Sequence, residues 1–195
     1  MTLSRRVFLA APLVLAACQT EKAAVATKPT FYEDLASPTA QVDQQRALSM
    51  INQYRLRNGS GPLSLDPELG RIARAYAREM AAADRMSHSL SDEARLGNRL
   101  KANGYAFEAA GENIAAGYRT LAEAFSGWRE SPAHDRGMKD RDMTHMGIGT
   151  AFNPNSKYKV FWCLIFSRPR GVAVGTPGVA ASPSLVTVAG ARVGG

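Results

Sequence analysis

The side chains able to do chemistry are few in this chain, so their neighbourhoods are informative. There are three histidines, His88, His134 and His145, and two cysteines, Cys18 and Cys163. The run "AAGENIAAG" at 109–117 sets Glu112 and Asn113 between two glycines in an otherwise apolar stretch. Polar side chains at the mouth of a buried strand must be hydrogen-bonded or used. Nucleophile candidates are Ser87 and Ser89, which flank His88, and Ser131, three residues before His134. No Gly-x-Ser-x-Gly elbow accompanies them. Cys163, inside "VFWCLIF", reads as a buried core thiol, because an activated thiolate needs polar surroundings.

The ends bound the compartment. Arg5 and Arg6 precede an apolar stretch, Val7 to Ala17, that is far shorter than the roughly 20 residues a spanning helix needs. Residues 1–17 therefore read as an export signal, with "SRRVFL" resembling a twin-arginine signal. "LAAC" at 15–18 resembles a bacterial lipobox, which makes Cys18 the expected site of lipid attachment. Gln19 after it is the pattern associated with sorting to the outer membrane. An ordinary cysteine near a small-residue cleavage site is the plainer alternative. Removing Arg5 and Arg6 with the signal takes the formal charge from +7 to +5. That excess is scattered, which argues against a nucleic-acid partner. With Cys18 acylated, Cys163 has no disulfide partner, so the fold must hold by packing. Residues 18–39 are expected to form the lipidated N-terminus and a tether, 40–170 one domain, and 171–195 a disordered low-complexity tail.

Within the domain, residues 41–57 carry apolar residues mostly at helical spacing. Asp66, Pro67 and Glu68 then form a helix start ahead of the stripe Leu69, Ile72, Ala73, Tyr76, Met80 and Ala83. A third helix is expected over 93–102. A fourth opens at Thr120 with a Thr-x-x-Glu capping box and presents Leu121, Ala124, Phe125 and Trp128 until Pro132 interrupts. Phe125 and Trp128 read as core residues. "MGIGTAF" and "YKVFWCLIFS", separated by the turn signal "NPNS", read as a strand pair, and "NIAAG" as one more short strand. The second run is apolar throughout, so both of its faces should be covered. Helices followed by a hairpin imply an α+β layered domain with the sheet between helices. His145 reads as an exposed strand-edge residue.

Four segments in order, "MSHS", "GENIAAG", "GWRESPAH" and "HMGIGTAF", resemble the CAP superfamily, also called SCP/PR-1, and its bacterial branch most closely. The resemblance covers about 42–168. It implies a three-layer α-β-α sandwich with a small central antiparallel sheet, and a cleft lined by histidines and acids. His88 matches the family's first histidine, Glu112 its first acid and His134 its second histidine. The second acid falls at Ser131, with Glu130 one residue earlier and about 100° away on a helix, so the usual set of four is incomplete. Asn113 is expected to aid the turn or to bond backbone beside the cleft.

Two imidazoles and a carboxylate would be three of the four ligands of a zinc site, with Zn2+ or another divalent cation as the cofactor they admit. The alternative is a hydrogen-bonded polar cluster that ties strand to helices. The expected function is an envelope-anchored, monomeric binding module for a small or lipid ligand, held at the membrane by its lipid and facing the periplasm. A metal-dependent hydrolase acting on envelope peptides or wall material, and a scaffold with a purely structural cluster, are the alternatives. The balance leans away from catalysis.

Overall fold

The computed structural model describes residues 30–171 and residue 173. The expected export signal at 1–17, Cys18 and nearly all of the 171–195 segment lie outside the described residues.

The chain builds its layers around β4 (Val160–Pro169), whose sequence is apolar at nearly every position and whose residues 160–167 are all buried. Alternation along the strand sends Val160, Trp162, Leu164 and Phe166 into one apolar cluster and Phe161, Cys163 and Ile165 into another. The first cluster is closed by α1 (Gln44–Arg57), α4 (Leu121–Glu130) and α5 (Pro132–Lys139). The second is closed by α2 (Pro67–Ala82) and α3 (Leu96–Ala102). Helices therefore cover both faces of one sheet, in an α-β-α sandwich.

The sheet has four strands in the order β1-β3-β4-β2. β3 (His145–Phe152) and β2 (Phe107–Ala116) both run antiparallel to β4, with Gly149 opposite Cys163 and Glu112 opposite Ile165. β1 (Ser64–Leu65) adds a two-residue parallel pairing to β3, so the sheet is mixed rather than purely antiparallel. β2 is ten residues long, and Glu112 and Asn113 sit inside it rather than at its start.

Local signals explain most element ends. Asp66 accepts hydrogen bonds from the Glu68 and Leu69 amides, and Thr120 and Glu123 form the reciprocal capping box. Pro132 does not simply stop α4. It occupies the first turn of α5, where its missing N–H costs nothing. α3 begins at Leu96, three residues later than its apolar spacing suggests, with Arg95 at its N-cap offering no side-chain bond. Residues ahead of 40 also pack onto this core. Leu35 is buried in the first cluster, and its amide donates to the Arg119 carbonyl at 2.8 Å.

Two glycines of β3 set how closely α2 approaches. A Cβ at Gly147 would stand 2.1 Å from the Gly70 nitrogen, and one at Gly149 would stand 2.4 Å from the Arg74 backbone. Only hydrogen fits between strand and helix at these positions. On the other face, Arg55 is fully buried and donates to the carbonyls of Gly61, Met138, Asp140 and Met143 at 2.8, 2.8, 2.9 and 3.2 Å. Burial lowers its pKa to about 10, which leaves it charged at neutral pH. It ties the end of α5 to α1 and so fixes the helix that carries His134.

Candidate functional site

β2 is an edge strand, and its alternation delivers neighbouring residues to opposite layers. Glu112 points toward α2 and α3, whereas Asn113 points toward α5, where its Nδ2 donates to the His134 carbonyl at 3.0 Å. His88 comes from the loop after α2, and His134 from α5 in the other layer. Their rings meet around the β2 edge with centroids 6.3 Å apart.

Glu112 is the hub. His88 Nδ1–H donates to its Oε1 at 2.9 Å, Arg99 Nη2–H donates to its Oε2, and the Cys163 thiol donates to Oε2 at 3.3 Å. Both members of the Arg99–Glu112 pair are buried, with 7 % and 4 % of their side chains exposed, while 57 % of His88 is exposed. Burial by itself would raise the Glu112 pKa. The bonds from His88, Arg99 and Cys163 outweigh it and hold the carboxyl below its ordinary range. An ionised carboxylate only accepts, so Nδ1 of His88 carries the proton and Nε2 is the nitrogen left for the cleft. Burial, helped by repulsion from His88, lowers the His134 pKa and favours its neutral form. Burial, reinforced by the Glu112 charge, raises the Cys163 pKa far above that of a free thiol, so this cysteine is a donor and not a nucleophile.

Arg99 is itself positioned with care. Its Nε donates to the Ala94 carbonyl at 2.7 Å, and its guanidinium carbon lies 3.6 Å from the Tyr76 ring centroid. Tyr76 in turn donates to the Ser87 carbonyl at 2.7 Å, one residue before His88. One connected set of contacts thus runs from α2 and α3 through Glu112 to the exposed imidazole.

Beside His134 lies a hollow of about 250 Å³ lined by Met86, Ile114, Ala116, Tyr118, Trp128 and Ser131, among others. Its walls are mostly apolar, and Met86 and Tyr118 are 49 % and 38 % exposed at its mouth. Trp128 is core, as its stripe suggests, and its Nε1–H also closes the β2 edge by donating to the Ile114 carbonyl at 3.0 Å. Ser131 borders the hollow, whereas Glu130 is exposed on the preceding turn. His145, half-buried at the start of β3, shares a 2.9 Å bond with the Thr144 hydroxyl and does not line this hollow.

The structure thus brings His88, Glu112 and His134 to one edge, with Asn113 and Ser131 beside them. Arg99 is the residue that motif reasoning misses. The available signal was an arginine on the inward side of α3, between Leu96 and Leu100 at helical spacing.

The donor set does not suit a metal as it is packed. Both Glu112 oxygens are engaged, one of them by a guanidinium, and that leaves two imidazoles where a zinc site takes three or four protein ligands. Among the described residues, no group of three or more His, Cys, Asp or Glu side chains is arranged to hold an ion.

The sequence profile of the CAP family, described as the cysteine-rich secretory protein family, matches residues 48–166, more than half of the chain. The chain belongs to the CAP family. The protein YkwD of Bacillus subtilis is 28 % identical over 106 residues, which cover 54 % of this chain and 41 % of YkwD. The crystal structure of an extracellular SCP-domain protein from Bacillus anthracis superposes with a TM-score of 0.57 at 26 % identity, over 64 % of this chain and 40 % of that one. An outer surface protein of Borrelia burgdorferi shares the fold, with a TM-score of 0.59 at 18 % identity over 67 % of this chain and 98 % of that protein. This CAP chain spans about two fifths of the length of the two Bacillus relatives. No helix among its described residues is long and apolar enough to cross a membrane.

Proposed function

We propose that this CAP domain is a binding module of the bacterial envelope, anchored through lipid on Cys18 and facing the periplasm from the outer membrane. In this reading the cleft at the β2 edge takes a small amphiphilic ligand. The observation that carries it is the apolar hollow bordered by His134, whose ring centroid lies 6.3 Å from that of the exposed His88. Drug-sized ligands need pockets of about 300–1,000 Å³, so a 250 Å³ hollow holds only the apolar end of a molecule. Its polar end then lies against His88 Nε2 and His134. The extracellular SCP-domain relative supports the location outside the cytoplasm.

The test is binding of a fluorescent single-chain fatty acid, cis-parinaric acid, to the full-length chain. Saturable binding that Ser131→Trp blocks, by filling the hollow, supports the reading. No saturable binding, or binding unaffected by the filled hollow, ends it.

Hydrolysis draws on one observation, an imidazole oriented by a carboxylate, which is how a general base is built. The nearby serines give it little help. Ser87 Oγ donates to the Ser89 carbonyl and Ser89 Oγ to the Ser91 carbonyl, and neither bonds a histidine among the described residues.

A further inference from the structure

A carboxylate in a histidine-lined cleft invites a metal, yet here the carboxylate already has a cation. Arg99 reaches Glu112 Oε2 from α3, both side chains are buried, and the guanidinium is fixed independently by the Ala94 carbonyl and the Tyr76 ring. A buried arginine cannot step aside cheaply, because it would forfeit its ionic partner in a low-dielectric setting. A divalent ion approaching Glu112 would also meet that fixed positive charge. Glu112 Oε1 is turned the other way, onto His88 Nδ1.

We infer that Arg99 is the resident cation of this cleft, and that it commits Glu112 to positioning His88 rather than to ligating a metal. The site is then a metal-independent hydrogen-bonding array. Arg99 and Glu112 are positioning residues, and His88 Nε2 is the atom presented to a ligand. This inference concerns how the cleft is held and stands whether or not the hollow binds a fatty acid.

The test is zinc chloride titrated calorimetrically into the full-length chain, wild type against Glu112→Gln, Arg99→Met and the double variant. Glutamine's carbonyl can still accept from His88 Nδ1–H but is a poor metal ligand, so Glu112→Gln should change wild-type zinc affinity by less than about tenfold. Arg99→Met takes the cation off Oε2 and leaves it only the weak Cys163 thiol bond, so it should raise affinity by at least about tenfold, the size of effect an outer-shell partner has on metal affinity, and the double variant should lose that gain. A larger loss in Glu112→Gln, or a folded Arg99→Met protein with no gain, would overturn the inference.

A second readout does not need Arg99→Met to fold. Imidazole NMR of the wild type should show a proton on His88 Nδ1, bonded to Glu112. A proton on Nε2 instead would contradict the commitment of Glu112 to His88.

Discussion

Arg99 and Glu112 face each other from α3 and β2 as a buried ion pair, and each is also tied to a third group, Tyr76 for the arginine and His88 for the carboxylate. The pair places the exposed His88 imidazole at the end of a line of buried contacts. Much of the cleft's behaviour follows from that line.

Tyr76 serves both ends of it, because its ring carries the guanidinium and its hydroxyl holds the Ser87 carbonyl. Tyr76→Phe keeps the ring and removes the bond, with an expected cost of about 0.5–1.5 kcal/mol in denaturant unfolding. Fatty-acid affinity should fall as well, because the loop carrying His88 loses an anchor. Unchanged affinity alongside the lost stability would show that the loop is held by something else.

Acid should weaken the fold in two steps. His134 has its pKa lowered from 6.5, so below that pH the unfolded chain takes up a proton that the folded chain resists, and stability drops. Glu112 is held below 4.5, so its contribution is complete above that pH and is lost as pH falls through its folded value. The melting temperature of the wild type should begin to fall below about pH 6.5, and His134→Gln should remove that first step while leaving the steeper acid limb. Identical profiles for the two proteins would refute the assignment to His134.

Tyr118 leans on Gly127, where an added Cβ would sit 2.2 Å from the tyrosine hydroxyl. Gly127→Ala should therefore swing the half-exposed ring off the mouth of the hollow. α4 itself gains helix propensity, worth up to about 1 kcal/mol. The expected result is altered fatty-acid binding at equal or higher melting temperature. A marked loss of stability would mean that Tyr118 is structural rather than part of the mouth.

At Gly149 the obstacle is backbone, not a movable side chain. Gly149→Ala should cost about 1–3 kcal/mol or more by forcing α2 off β3. Urea unfolding measures it, and a cost below about 0.5 kcal/mol would show that the helix shifts freely.

The layers were legible because β4 is apolar on both faces and because the capping signals at Asp66 and Thr120 act locally. Other elements depend on partners that a local pattern does not display. β2 holds four alanines and a glycine among its ten residues, with little intrinsic strand preference, and is a strand because β4 offers a matching ladder. β1 is only two residues long and exists through its pairing with β3. α5 was hidden by Pro132, which breaks a helix when internal but suits a first turn. In the cleft, the motifs located His88, Glu112 and His134. Arg99 belongs to no motif, and its role appears only once α3 is folded against β2. The expected signal, Cys18 and nearly all of the expected tail at 171–195 lie outside the described residues.

The most direct measurement of the central claim is a double-mutant cycle on Arg99 and Glu112, read by denaturant unfolding. Arg99→Met leaves a buried carboxylate without its cation and should cost about 3–5 kcal/mol. Glu112→Gln should also destabilise, by stranding the guanidinium. In Arg99→Met with Glu112→Gln neither buried charge remains, so the combined cost should fall below the sum of the two by at least about 1 kcal/mol. Additive costs would contradict the account, because they would mean that the two residues do not hold each other and that Glu112 answers to some other partner.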